Sequence, residues 1–413
     1  MKTKLANSVV LDLGSNKIAA IAAYIEPNGD VRILSQNLSH SEGLKSGFVV
    51  DIRQAENSIA NTIYSIEKDC DKSIGQASIS LSGVSTKSHY IYRTRKLQNQ
   101  PISKQDVQKL LQKSLVEFQV TNQEIIHYFP IEYTLDECNI VQDPVGMLGR
   151  ELGVRLHIVT ADSNMLLNIA NCMSKCQVEI SDVILAIYAS GISCLTEDEQ
   201  NLGSVVMDIG ARTTSYGIFL GKKLLYSGHI PVGGWHITSD IAKVLSISLE
   251  SAEKLKVLYG SASIVPLNRD SVINLEEFDS TSFGGMDDQI VTTNLLSQII
   301  NSRVLEILEL VKEEYDRLDL DNLVARRIVL TGGTAMLRGI KELASNLFEK
   351  QVRIGKPVVL PGFAEDYNPC VYSVAVGMLK IHANLAQNNM QTIKAFSVNS
   401  YFSKALTWLK ENI

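Results

Sequence analysis

Short apolar runs alternate along the chain with amphipathic stretches of helical period. Val9-Val10-Leu11-Asp12-Leu13 and the segment from Lys17 to Ala23 read as strands around a Gly14-Ser15-Asn16 turn. Ala55 to Cys70 predicts a helix with Ile59, Ile63 and Ile66 on one face, and Ala77 to Leu81 predicts a strand. Between Val84 and Val159 the character changes. Ser88 to Arg93 alternates as a strand does, and strand-like pieces follow at Ile125 to Thr134 and Val154 to Thr160. Between them Ser103 starts a helix, with Asp106 in its first turn and Val107, Leu110, Leu111 and Leu115 on one face. This stretch predicts a small α+β unit inserted into a larger α/β framework. Beyond it, Ser163 to Met173 is helical, Val183 to Ile187 strand-like, and Ser204 to Leu225 a strand–turn–strand unit. Ile237 to Leu245, Ser251 to Tyr259 and Leu295 to Leu318 predict helices, and Ile328-Val329-Leu330 runs as a strand into Thr331-Gly332-Gly333.

The chain contains an internal echo. Val9-Val10-Leu11-Asp12-Leu13-Gly14 matches Val205-Val206-Met207-Asp208-Ile209-Gly210, 196 residues later. A large offset of this kind predicts two related lobes facing each other. The chemistry suits phosphate: a glycine turn turns backbone N–H groups toward an anion with no side chain in the way. An aspartate at the strand end can hold Mg²⁺ directly or through water. One Asp-x-Gly hairpin is usually only a turn; the pair carries more weight. Leu330-Thr331-Gly332-Gly333-Thr334 offers close backbone approach to a nucleoside, or an ordinary turn into a helix. Glu253 and Lys256 share a helix face and can hydrogen-bond a ribose, or form a surface ion pair. Ala189-Ser190-Gly191 is a small-residue segment where two lobes could hinge.

Composition narrows the class. With 413 residues and 45% hydrophobic content, the chain is long enough for two or more cores. A net charge of −6 argues against a dedicated nucleic-acid binder. Tyr90 to Lys96 mixes aromatic and basic residues as RNA-binding strands do, but an edge strand of the inserted unit is the better reading. The six cysteines are scattered, as in a reducing compartment, and Cys172 and Cys176 have no further ligands to complete a zinc set. The N-terminus carries no signal-peptide pattern and no segment is long enough to span a bilayer, so a cytoplasmic protein is expected unless something anchors it.

The C-terminal end supplies a candidate anchor. Asn384 to Ser400 is polar and rich in Asn and Gln, as a flexible linker is. Tyr401 to Ile413 then predicts a helix with Phe402, Leu406, Leu409 and Ile413 as its apolar stripe, Tyr401 and Trp408 on one flank, and Lys404 on the polar side. It either lies in a lipid interface or docks on the protein's own core. Half-burial of five such side chains is worth roughly 5–10 kcal/mol before ordering costs, enough for reversible attachment that many copies would strengthen.

The ordered set Asp12–Lys17, 186–191, Asp208–Thr214, Thr331–Thr334 and 374–377 resembles the two phosphate, two connecting and one adenosine motifs of the actin, Hsp70 and sugar-kinase superfamily. Within it, Gly43-Leu44-Lys45-Ser46-Gly47 before Val49-Val50-Asp51-Ile52, Tyr133 to Asp136, Asp143 to Met147, His157 to Thr160, Pro231 to Gly234 with His236 to Ala242, and Gln351 to Gly355 resemble the FtsA family of bacterial cell-division proteins over nearly the whole chain.

That resemblance implies an α/β, actin-like (ribonuclease H-like, duplicated) two-lobed ATPase fold. It carries an inserted α+β 1C subdomain and a C-terminal amphipathic helix. The implied division is 1A at 1–84, 163–200 and 365–385; 1C at 85–162; 2A at 201–235 and 305–364; 2B at 236–304; a linker at 386–400; and a membrane-targeting helix at 401–413. ATP and Mg²⁺ are the implied ligands, with Asp12, Gly14, Ser15, Asn16, Lys17, Asp208, Gly210, Thr213 and Thr214 at phosphate and metal. Asp12 and Asp208 would serve the Mg²⁺ through water. Glu253, Lys256, Gly332, Gly333 and Thr334 would lie at the nucleoside. Implied partners are further copies in a filament, the C-terminal peptide of FtsZ at a surface including Arg303, later division proteins, and the cytoplasmic membrane at the septum through Phe402, Leu406, Trp408, Leu409 and Ile413. Arg303 reads equally as a solvated helix charge. No catalytic residue is assigned, and nucleic acid is not among the partners. One departure matters: the family's Asp-x-Gly-Gly-Gly-Thr reads Asp208-Ile209-Gly210-Ala211-Arg212-Thr213 here, so hydrolysis is in doubt and Arg212 either meets phosphate or points to solvent. The rival from another class is a sugar or metabolite kinase on the same fold, which would need a substrate pocket and has little use for a tethered tail. A shape-determining or pilus-assembly relative is a closer rival, over which the Gly43–Ile52 loop and the inserted subdomain favour the FtsA resemblance, and an Hsp70-like chaperone would need a β-rich second domain.

Overall fold

The computed structural model describes residues 6–387 except 83, 85, 98–99, 137–138, 276–277, 279–289, 319–326 and 365–367. The linker beyond residue 387 and the whole tail helix lie outside the described residues.

Two five-stranded sheets form the framework. In the first, strand Ser8–Leu13 pairs antiparallel with Lys17–Ile25 and parallel with Gln76–Leu81, while Val31–His40 and Glu179–Leu185 take the two edges. In the second, Ser204–Ile209 pairs antiparallel with Thr214–Leu220 and parallel with Arg327–Thr331, with Lys223–Ile230 and Gln351–Ile354 at the edges. The echo in the sequence is thus an echo in register: Asp12 faces Ala19 across its hairpin, and Asp208 faces Ser215. Near-continuous apolar runs suit these central strands, which are covered on both faces.

Helices Ile52–Cys70 and Ser163–Lys175 cover one face of the first sheet, giving a core that includes Leu11, Ile59, Ile66, Ile79 and Leu166. The other face packs on helix Ser373–Gln387 through Val10, Ile21, Ala375 and Leu379. The second lobe buries Val205, Ile237, Leu255, Ile300 and Leu330 between its sheet and helices Gly234–Leu245, Leu249–Tyr259 and Thr293–Asp316. Val206, Phe219 and Val329 on the opposite face join the core of the first lobe, so the lobes share an apolar seam.

The inserted unit is a four-stranded sheet in the order Thr86–Lys96, Glu151–Asp162, Gln123–Leu135, Asn139–Val141, backed by helix Lys104–Glu117. Ser103 caps that helix, its backbone and hydroxyl answered by Asp106 in a reciprocal box. The strand containing Tyr90 to Lys96 is the sheet edge that the alternation predicts. Tyr90 donates to the Leu225 carbonyl at 2.6 Å and so ties the unit to the second lobe.

Three predicted boundaries shift. The strand expected at Val183 to Ile187 ends at Leu185, and Ala186–Cys194 is a helix buried along almost its whole length. Helix Ser373–Gln387 runs through Asn384 and two residues into the segment 386–400 read as linker. Ser204 to Leu225 holds three strands rather than two, the third being Lys223–Ile230.

Candidate functional site

Both hairpin turns end at the carboxyl end of a central strand, and they share the same closing backbone bond. Gly14 N–H donates to the Lys17 carbonyl at 3.1 Å, and Gly210 N–H donates to the Thr213 carbonyl at 3.0 Å. Among the described residues, the amides of Ser15 and Asn16, and of their counterparts Ala211 and Arg212, have no backbone acceptor. A side chain on Gly14 would place its Cβ 2.6 Å from the Lys17 carbonyl oxygen, so the first turn requires glycine. The second turn shows why Ala211 and Arg212 are tolerated: neither adopts a positive φ.

Asp12 and Asp208 are both partly buried, and Asp208 acts on Asp12. Burial and the neighbouring Asp208 push Asp12 up to about 7, against the pull of the Ser80 hydroxyl, which donates to it at 2.5 Å. Burial likewise raises Asp208, which accepts from Ser190 at 2.5 Å. Two partly buried carboxylates with raised pKa values and free oxygens are an environment that a hard cation would relieve, so the donor set fits Mg²⁺.

The rest of the expected constellation assembles largely around the second turn. The Gly210 carbonyl accepts from Gly234 N–H at 2.9 Å and from the Thr334 hydroxyl at 3.2 Å, and the Ala211 carbonyl accepts from Trp235 N–H at 2.7 Å. Gly332 adopts φ +88°, and a Cβ there would lie 2.4 Å from Asp208 Oδ1. Gly333 follows it, exposed, and Asn368 Nδ2 donates to its carbonyl at 3.1 Å. Thr213 is buried beside Thr214, whose hydroxyl is committed to the Val232 carbonyl at 2.9 Å. Ser15 accepts from the Ser46 amide at 2.8 Å, which ties the first turn to the Gly43–Ile52 loop.

Glu253 and Lys256 are more than a surface pair. Lys256 Nζ is mostly buried and donates to Glu253 Oε2 at 2.6 Å, Thr238 Oγ1 at 2.8 Å and the Gly234 carbonyl at 3.2 Å. It thereby joins two helices of the second lobe. Burial lowers its pKa, Glu253 opposes that, and Lys17 of the first turn lowers it further. Arg303 lies apart from this cluster, gripped by Asp240 through Nε at 2.5 Å and Nη2 at 3.1 Å, and by Glu306. The membrane residues Phe402, Leu406, Trp408, Leu409 and Ile413 lie outside the described residues.

Sequence reading missed Ser80, Trp235 and Thr238. Ser80 is legible only as a hydroxyl in an otherwise apolar strand, and Trp235 only as the aromatic after a double glycine. A cavity of about 550 Å³ lined by Asn7, Gln76, Asp182 and His382 lies at the opposite end of strand Ser8–Leu13 from Asp12 and is a separate feature.

The family model for "Cell division protein FtsA" matches residues 205–377, and that for "SHS2 domain inserted in FTSA" matches residues 83–160. The FtsA of Rhizobium meliloti is 30% identical over 98% of this chain and 94% of its own length. The chain belongs to the FtsA family. FtsA of Escherichia coli K12 is 29% identical over 98% of this chain and 97% of its length. Among solved structures, the PilM-PilN type IV pilus biogenesis complex aligns with a TM-score of 0.65 at 14% identity, covering 92% of this chain and 99% of the other. MreB5 of Spiroplasma citri bound to ADP aligns at 0.53 and 15% identity, covering 93% and 98%. At such identity these matches establish the fold, an actin-like one carrying the FtsA insertion. A role in cell division follows from the family, in place of the metabolite-kinase alternative. Among the described residues no helix is long and apolar enough to cross a membrane.

Proposed function

We propose that this FtsA-family chain binds ATP with Mg²⁺ between its two hairpin turns, assembles into actin-like filaments, and tethers FtsZ polymers to the cytoplasmic face of the membrane at the division septum. The observation that carries the nucleotide part is the repeated turn: each lobe offers a partly buried aspartate and two unspent amides. Such amides suit phosphate oxygens because they bring partial positive charge without a side chain. Lys17 adds a cation from the first lobe. Lys256 and Glu253 lie where a ribose would meet the second lobe, and Gly332, Gly333 and Thr334 would receive the nucleoside by backbone approach.

Bound Mg²⁺ would neutralise phosphate charge, with Asp12 and Asp208 as its direct or water-mediated holders. The Ser80 and Ser190 hydroxyls keep those carboxylates aimed. Thr213 and Thr214 stiffen the second turn. A ligand touching both turns favours one angle between the lobes, and helices Ala186–Cys194 and Ser373–Gln387 are the elements about which that angle would change. No residue is assigned to water activation, so the reading is nucleotide binding rather than turnover.

The tail at 401–413 is the membrane element, through Phe402, Leu406, Trp408, Leu409 and Ile413, and residues 236–304 with Arg303 form the surface for the FtsZ C-terminal peptide. Later division proteins are further partners. Filament formation multiplies weak tails into firm retention.

Liposome co-sedimentation of the full chain and of a truncation after Ser400, each with and without Mg-ATP, tests the tether. Binding that disappears with the tail and strengthens with ATP is expected. Equal binding by both forms refutes the tail's role, and no binding by either refutes the tether.

A further inference from the structure

Arg212 stands where the family pattern has glycine, and the structure gives it a specific seat. Its guanidinium carbon lies 4.0 Å from the centroid of the Trp235 ring, within cation–π range. Trp235 is itself fixed: its backbone N–H donates to the Ala211 carbonyl at 2.7 Å, and its ring meets His236 edge-on at 5.4 Å. Gly233 makes this approach possible, since a Cβ there would lie 2.6 Å from the Gly210 carbonyl oxygen and 2.9 Å from that of Ala211.

Among the described residues Arg212 has neither a hydrogen bond nor an ion pair. Partial burial lowers its pKa, and no carboxylate counters that. This contrasts with Arg303 and Arg353, whose forks are filled by Asp240 and Glu199. A guanidinium seated over an indole and joined to no acceptor keeps its planar fork of N–H donors available to an anion at the ring edge. That is the geometry that grips a phosphate through two parallel bonds. It sits on the same turn as the free Ala211 and Arg212 amides, one strand end from Asp208.

We propose that Arg212, held on the Trp235 ring, is a phosphate-binding residue that makes this chain discriminate nucleoside triphosphate from diphosphate. The inference rests on the nucleotide reading above and adds a specificity determinant to it. The added cation takes up the extra negative charge of the terminal phosphate, which a glycine turn meets with backbone amides alone. Trp235 is the positioning residue: it spares the arginine the entropy of being ordered on binding.

The test is equilibrium binding of ATP and of ADP, each with Mg²⁺, to the full chain and to Arg212→Gln, Arg212→Lys and Trp235→Ala. Arg212→Gln is expected to weaken ATP by about ten- to hundredfold and ADP by less than about threefold. Arg212→Lys, which keeps charge but loses the fork, is expected to recover only part of the preference, and Trp235→Ala to lose part of it. Melting curves without nucleotide separate a folding defect from a binding one. If the unmodified chain binds neither nucleotide, the nucleotide reading itself fails. If it binds both, and Arg212→Gln leaves the ATP-to-ADP ratio unchanged, Arg212 is a structural stack on Trp235 and the proposal is overturned.

Discussion

Gly377 makes the seam between two buried helices testable. It lies in helix Ser373–Gln387 where that helix crosses Ala186–Cys194, and a Cβ built on it falls 1.9 Å from the Ala189 carbonyl oxygen. Ordinary contact begins at 3.4 Å, and both sides of this contact are backbone, so neither can rotate away. Two effects of Gly377→Ala oppose each other. Alanine favours the helix by about 1 kcal/mol. Overpacking costs roughly 1–3 kcal/mol, and forcing the helices apart also strains two bonds that cross the seam. These run from the Ser193 hydroxyl to the Ser373 carbonyl at 2.6 Å, and from Lys380 Nζ to the Ile192 carbonyl at 2.9 Å. Each is worth about 1 kcal/mol. The packing side wins, leaving a net loss of roughly 2–4 kcal/mol and, for a chain of 413 residues, a melting temperature lower by about 2–5 °C. Thermal unfolding followed by circular dichroism measures it, with Gly75→Ala as control because a Cβ there meets nothing within 4 Å. A Gly377→Ala chain melting at or above the unmodified one would refute the close crossing.

Gly332→Ala combines a positive φ with a Cβ 2.4 Å from Asp208 Oδ1, and should lose about 2–4 kcal/mol of stability in thermal unfolding and displace Asp208. His127 accepts from the Leu185 amide at 2.9 Å and His157 meets the Leu224 carbonyl at 2.9 Å; burial lowers each to about 4. The unfolded chain binds protons at these sites near pH 6.5 and the folded chain only near 4. The neutral rings' contribution, about 3 kcal/mol each, is therefore complete above pH 6.5 and lost as pH falls toward 4. Denaturant titrations across that window should show less of this loss for His127→Gln. Ser103→Ala removes the capping box of the inserted unit and should cost about 1 kcal/mol, read as faster hydrogen exchange in helix Lys104–Glu117.

The turns at Asp12 and Asp208 were legible because chemistry and spacing recur together, and the inserted helix because Ser103 and Asp106 state its start. Helix Ala186–Cys194 was not: buried on nearly every side, it has no polar face and hence no helical period to read. Helix Ser373–Gln387 hides for a similar reason, with Ser373 to Leu379 buried without a break. Edge strand Val31–His40 escapes notice because its second half, Gln36 to Ser39, is largely polar and only half-buried. The pairing of Arg212 with Trp235 joins residues on different elements, so only tertiary structure reveals it. Lys256 looked like half of a surface pair because its burial under the neighbouring helix leaves no trace in local sequence.

The central claim is that two duplicated turns clasp one nucleotide. Calorimetric titration of Mg-ATP into the full chain, Asp12→Asn, Asp208→Asn and the double variant tests it most directly. One site per chain is expected, weakened by each single change and abolished by both, with the fold intact by circular dichroism. Undiminished ATP binding by the folded double variant would contradict it.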